Sequence, residues 1–194
     1  MTPRILAILA FPALATPILS GCAALVVGSA ATGGVAIAEE RTLGDQVDDL
    51  TIKLAINEEL FMHNEQLYQD VSINVTEGRV MLTGKVATPE DRVDAVRIAW
   101  QPEGVVEVIN ELQVTDSGSV GSYLNDIRIS IELRTNLLFD SEVNSINFNV
   151  DTVGAVVYLT GIAEDQSELQ RVVNHARTIS GVKEVVSHVR VKST

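Results

Sequence analysis

Residues 48–60 read DDLTIKLAINEEL, and residues 125–137 read NDIRISIELRTNL. The two stretches lie 77 positions apart and share their apolar positions: Ile52 falls on Ile129, Ile56 on Leu133 and Leu60 on Leu137. The same shift lays VMLTGKVA (80–87) on VYLTGIAE (157–164) and GVVEVINELQV (104–114) on GVKEVVSHVRV (181–191). Three blocks in one register make the chain a duplication, which is the first thing to look for in a sequence.

Each copy reads as one small unit. Apolar residues recurring every four positions predict a helix over about 47–61 and 124–138, opened by Asp48-Asp49 and Asn125-Asp126 at the helix start. The alternating segments SINV (72–75) and INFNV (146–150) lead through a turn at Glu77-Gly78 or Val153-Gly154 into VMLTG and VYLTG. That pattern predicts a hairpin. Thr83-Gly84 and Thr160-Gly161 are placed at the strand end, where glycine would let the chain turn away. Thr88-Pro89-Glu90-Asp91 supplies a cap, a first-turn proline and acidic residues for a second helix, with Asp165 as the counterpart start. These helices run to about Trp100 and Ile179, with Val93, Val96 and Ala99 inward in one copy and Val172, Val173 and Ala176 in the other. Gly104 and Gly181 help to stop them, and one further strand closes each unit. The fold class is α+β: two tandem α-β-β-α-β units, each with two helices packed on one face of a three-stranded mixed sheet.

The chain has 194 residues, with 14 Lys+Arg against 26 Asp+Glu and a formal net charge of -12. That balance speaks against nucleic acid as a partner, since such a binder needs a basic face to displace counterions. The charge is uneven. Residues 48–115 hold 5 basic and 13 acidic residues, net -8, whereas residues 122–192 hold 7 and 9, net -2.

Residues 1–22, MTPRILAILAFPALATPILSGC, have the layout of a secretory signal: Arg4, an apolar run from Ile5 to Leu19, then small residues. The run is short for a membrane span. It ends on Cys22, the chain's single cysteine, which excludes an intrachain disulfide. Leu19-Ser20-Gly21-Cys22 resembles the bacterial lipobox, whose cysteine is acylated after cleavage in front of it. Two or three acyl chains hold a protein on a bilayer durably, at about 0.8 kcal/mol per buried CH₂. The bland alternative is a chance tetrapeptide within a cleaved signal or an uncleaved anchor. Ala23 and Ala24 follow in place of an aspartate, which points to the outer membrane. Residues 23–38 are small and uncharged, reading either as a flexible tether or as a small-residue hairpin at the membrane. The expected layout is thus 1–21 signal peptide, 22–46 acylated cysteine and tether, 47–115 first domain, 116–121 linker and 122–192 second domain.

Gln46-Val47-Asp48-Asp49, Ile73-Asn74-Val75, Leu82-Thr83-Gly84 and Gly104-Val105-Val106-Glu107-Val108-Ile109-Asn110-Glu111 together resemble the BON domain. Leu159-Thr160-Gly161 and Ser180-Gly181-Val182-Lys183-Glu184-Val185 repeat the likeness. Two such domains behind a lipobox look like the DolP-like family of outer-membrane lipoproteins. The resemblance implies a non-enzymatic protein that supports envelope integrity, lipid-anchored with its domains facing the periplasm. It also implies a second domain that contacts anionic phospholipids, and division sites as a place of enrichment. Envelope-biogenesis or cell-division proteins are the alternative partners, with the chain as an adaptor for outer-membrane assembly or peptidoglycan remodelling.

The first helix of each copy carries a second apolar stripe: Val47, Leu50, Leu54 and Phe61, and Leu124, Ile127, Ile131 and Leu138. A helix on a small sheet cannot bury both sides against it, so this stripe needs another partner. Packing between the two domains would cover it. Alternatively Leu124, Ile127 and Ile131 enter the headgroup region, flanked by Arg128 and Arg134. The chain departs from the family here, with Arg128 where an aromatic is usual and Glu132 near the position of a base. Arg128 can still pair with phosphate.

The sequence carries no P-loop, dinucleotide fingerprint or nucleophile elbow. His63, His175 and His188 have no metal-ligand spacing, so no cofactor or metal is expected. Adjacent acids such as Glu58 and Glu59 point in different directions on a helix and make a poor acid–base pair.

Overall fold

The computed structural model describes residues 43–115 and 120–192. Cys22, the expected signal peptide and most of the tether lie outside the described residues. The first copy runs α1 (Leu43–His63), α2 (Glu65–Asp70), β1 (Val71–Thr76), β2 (Arg79–Val86), α3 (Pro89–Ala99) and β3 (Glu107–Val114). The second runs α4 (Val120–Phe139), a 3₁₀ turn (Ser145–Asn147), β4 (Phe148–Val153), β5 (Val156–Ala163), α5 (Gln166–Thr178), β6 (Glu184–Ser187) and β7 (Arg190–Val191). α1 starts four residues inside the stretch read as tether, and α4 two residues inside the stretch read as linker.

Both sheets are mixed. β1 pairs antiparallel with β2, and β2 parallel with β3. β4–β5 and β5–β6 repeat this, and β7 continues the parallel pairing to β5. The single closing strand expected in the second copy is therefore interrupted at His188 and Val189, although the His188 amide still donates to the Leu159 carbonyl. The predicted inner stripes are buried: Ile52, Ile56 and Leu60 in α1, and Ile129, Leu133 and Leu137 in α4. Each side chain sequestered this way contributes about 1.5–3 kcal/mol relative to exposure.

One carboxylate ties helix to hairpin in each copy. Asp49 accepts from the amides of Glu77 and Gly78 at 2.9 and 2.8 Å. Asp126 accepts from Gly154 and Ala155 at 2.9 and 2.8 Å. The two turn residues have positive φ in both hairpins, the conformation that matches strand twist in a two-residue turn. The second turn sits at Gly154-Ala155, one residue beyond the position read from the sequence, because Ala155 rather than Val153 takes the left-handed conformation.

Two further expectations are corrected. Gly84 and Gly161 lie inside β2 and β5, not at strand ends. Their φ values are 134° and 135°, and a Cβ would come within 2.0 Å of the Asp70 and Asn147 carbonyl oxygens. The glycines admit a neighbouring backbone instead of starting a turn. Val93 is not inward: it is 64% exposed, while Ala95, Ile98 and Ala99 face the core. Its equivalent is Gln170, whose polarity marks the outer face in the second copy. α3 does open with the expected Thr88 cap, reciprocated by Asp91, and α5 with Asp165.

A candidate binding surface and the interface behind it

Each sheet has a helix-facing side and a free side, because side chains alternate along a strand. In the first copy Ile73, Val80 and Leu82 join the helices in one core, while Ser72, Asn74, Met81 and Thr83 point the other way. The free sides meet. Met81, Val153 and Tyr158 form a separate buried cluster with Ile109, Val156 and Val186 against it. The two domains therefore stack sheet on sheet with helices outside. The expectation that packing between the two domains covers the helices' second stripes is overturned. Leu50, Leu54, Phe61, Leu124, Ile131 and Leu138 are all more than half exposed, because the sheets already supply the contact.

The interface is partly polar. Asp151 accepts from the Asn74 amide and from the hydroxyls of Thr83 (2.9 Å) and Ser72 (3.4 Å). Gln113 donates to the Val153 carbonyl and the Tyr158 hydroxyl, each at 3.2 Å. Burial pushes the Tyr158 phenol above its usual pKa, with the Gln113 hydrogen bond opposing. At the far end His188 meets Glu111 at 2.7 Å, and Arg190 donates to Glu77 at 2.8 Å. Arg79 donates to the His188 carbonyl at 3.1 Å and also holds Glu107. That second bond keeps the Glu107 carboxyl below the ordinary range.

The expected site residues on α4 divide into two groups. Ile127, Ile131 and Arg134 line a cleft of about 900 Å³ between α4 and the first domain, with Tyr123 and Asp151 also from the second domain and Lys85 from the first. The equivalent cleft beside α1 measures only about 310 Å³. Leu124 and Arg128 lie outside the larger cleft's lining. Neither arginine is a loose charge. Arg128 bonds Glu132 (2.7 Å), Asn125 (3.2 Å) and the Ser180 carbonyl, and Arg134 bonds the Val150 carbonyl.

Leu124, Ile131 and Leu138 are spaced by sevens, so they lie on one line along α4, and Phe139 stands beside its end at 82% exposure. Tyr123 and Phe139 are exposed aromatics that the sequence reading did not select; the repeat offered a signal, since Phe139 falls on the equally bare Met62. Each histidine has a carboxylate partner: His63 with Asp94, His175 with Asp140 and His188 with Glu111. Among the described residues no group of three His, Cys, Asp or Glu is placed to hold a metal ion. No helix among them is long and apolar enough to cross a membrane.

Comparison with known proteins gives the family. The chain is 40% identical over 147 residues to a protein of the gshII 5′ region of Anaplasma centrale, covering 75% of this chain and 96% of that one. It is 31% identical to the outer membrane lipoprotein DolP of Haemophilus influenzae over 89% of each chain. It is also 31% identical to the osmotically-inducible protein Y of Escherichia coli, over 77% of this chain and 76% of that one. The BON-domain family model matches residues 48–116 and again 125–193, which are the two structural copies. The chain is a DolP-like member of the BON-domain family, with two such domains in tandem.

Proposed function

We propose that this chain is a non-enzymatic lipoprotein of the cell envelope, held to the outer membrane by acyl chains on Cys22, whose second BON domain contacts anionic phospholipid and thereby supports outer-membrane integrity. The observation that carries the lipid contact is the apolar line Leu124–Ile131–Leu138 on α4, exposed in the folded chain. An apolar line on a helix surface gains free energy at the headgroup boundary in proportion to the area it buries there. α1 presents a similar face, but charge separates the two: its domain carries net -8 against net -2. An anionic surface repels the first domain far more than the second. The relative named as an outer membrane lipoprotein matches across 89% of the chain, which supports the same location.

The internal bonds of Arg128 and Arg134 favour one competing reading, an adaptor in which the cleft beside Tyr123 holds a protein segment. Vesicle flotation separates the two readings. Residues 23–194 contain every described residue, and they should float with phosphatidylglycerol vesicles. Ile131→Ser combined with Leu124→Ser should abolish flotation, whereas Leu54→Ser, the α1 equivalent of the first change, should not. Absence of flotation with anionic vesicles would replace lipid contact by the adaptor reading. Mass spectrometry of the native protein tests the anchor: an unmodified Cys22 thiol would remove it.

A further inference from the structure

The interface between the two domains has an approximate two-fold axis, visible in its residue numbers. Asn74 bonds Asp151 and Glu111 meets His188. Met81 packs with Tyr158 in the shared cluster, with Ile109 and Val186 beside them. Every one of these pairs is separated by 77, the repeat shift, so each residue meets its own equivalent. A surface that contacts its own copy in this way is isologous, the arrangement of a symmetric dimer.

On such an axis identical faces would bring identical side chains together. Two first domains would place Glu111 against Glu111, and two second domains would place Asp151 against Asp151. The tandem chain has a different residue at each position on the axis. Around the axis, Glu77, Glu107 and Glu111 with Arg79 belong to the first domain, and His188 and Arg190 with Asp151 and Glu184 belong to the second.

We infer that the free sheet face of each BON domain is a docking surface specific for the other copy, and that Asn74–Asp151 and Glu111–His188 exclude pairing of like with like. The face of the first domain takes a partner sheet that offers a carboxylate opposite Asn74 and an imidazole opposite Glu111. It rejects one that offers a carboxylate opposite Glu111. Like charges brought together at an interface raise the dissociation constant, whereas exchanging both members of a pair keeps it. This specificity does not depend on lipid contact.

The test starts from the intact folded chain, residues 23–194, with a protease recognition sequence in place of residues 116–119. After cutting, the two halves should stay together at micromolar concentration on size exclusion, and native mass spectrometry should find first-with-second pairs without dimers of either half. His188→Glu should raise the dissociation constant by at least about tenfold, and Glu111→His added to it should bring the value back to within about threefold. Circular dichroism of each half keeps misfolding apart from weakened docking. Separation of the unsubstituted halves, dimers of one half, an unchanged constant for His188→Glu, or no recovery in the double exchange would each overturn the inference.

Discussion

The two copies solve one packing problem with acid and base in exchanged places. In the first, His63 at the end of α1 meets Asp94 of α3 at 3.1 Å. The positions 77 further on are Asp140 and Arg171, paired at 3.8 Å at the end of α4 and on α5. Base and acid have changed places while the link between the helices is kept. Asp49 and Asp126, by contrast, are identical, as are Gly84 and Gly161. The difference lies in what each position has to do. An ion pair needs only complementarity, so its members can exchange. A carboxylate facing two turn amides, or a residue with a carbonyl where its Cβ would stand, has no substitute of equal chemistry.

The largest expected effect probes the glycines. Gly84→Ala and Gly161→Ala each force a Cβ to within 2.0 Å of a backbone oxygen at a φ that disfavours any side chain. Each should lower unfolding free energy by about 3 kcal/mol or more, read from urea denaturation. Because the geometry is the same, the two losses should agree within about 1 kcal/mol, and a silent substitution in one copy would break the equivalence. Next come Asp49→Ala and Asp126→Ala, each leaving two amides at a tight turn without their acceptor. Losses of about 2–3 kcal/mol are expected for hydrogen bonds to a charged group, again alike in both copies. A cost below about 0.5 kcal/mol would mean that water replaces the carboxylate without penalty.

Much of this was legible in the sequence because the repeat supplied two independent readings of each element. The inner stripe Ile52–Ile56–Leu60 needed only periodicity, and its counterpart Ile129–Leu133–Leu137 agreed. Val93 went wrong where one copy was read alone; Gln170 held the correction. The role of Gly84 and Gly161 was hidden because their close contact is with the opening of β1 and β4, a tertiary neighbour that no local pattern records. The interface was hidden for a related reason. Asn74 and Glu111 look like the ordinary outward half of an alternating strand, whereas Met81 breaks the alternation within the apolar run Val80-Met81-Leu82; only the second sheet gives all three their partners. The second stripe on α4 was visible at once, yet its partner was not, because an exposed apolar line and a covered one have the same spelling.

The smallest expected effect sharpens the exchanged pair. The carboxyl of Asp140 is held below its ordinary value of 3.8, chiefly by the hydrogen bond with His175 at 2.7 Å, then by the Glu142 amide, with burial opposing. Asp94 is lowered as well, first by Arg97 at 2.8 Å and only then by His63. A carboxyl with a lowered folded pKa stabilises the fold above its unfolded value and loses that contribution as pH falls through the folded value. The window is therefore the acid side of about 3.8 for both residues. Their partners differ in reach. Arg97 is three residues from Asp94 on the same helix, where a pair persists in part whenever α3 forms, so less of its effect depends on the complete fold. His175 lies 35 residues from Asp140, and that contact exists only when α4 and α5 are packed together. Between pH 5 and pH 2.5 the urea midpoint of the Asp140→Asn variant should fall less than that of the unsubstituted chain, and Asp94→Asn should reduce the fall by a smaller amount. Equal effects would mean that Arg97 and His175 act with the same dependence on folding, and that the exchange of charges between the copies left the acid response of the two domains alike.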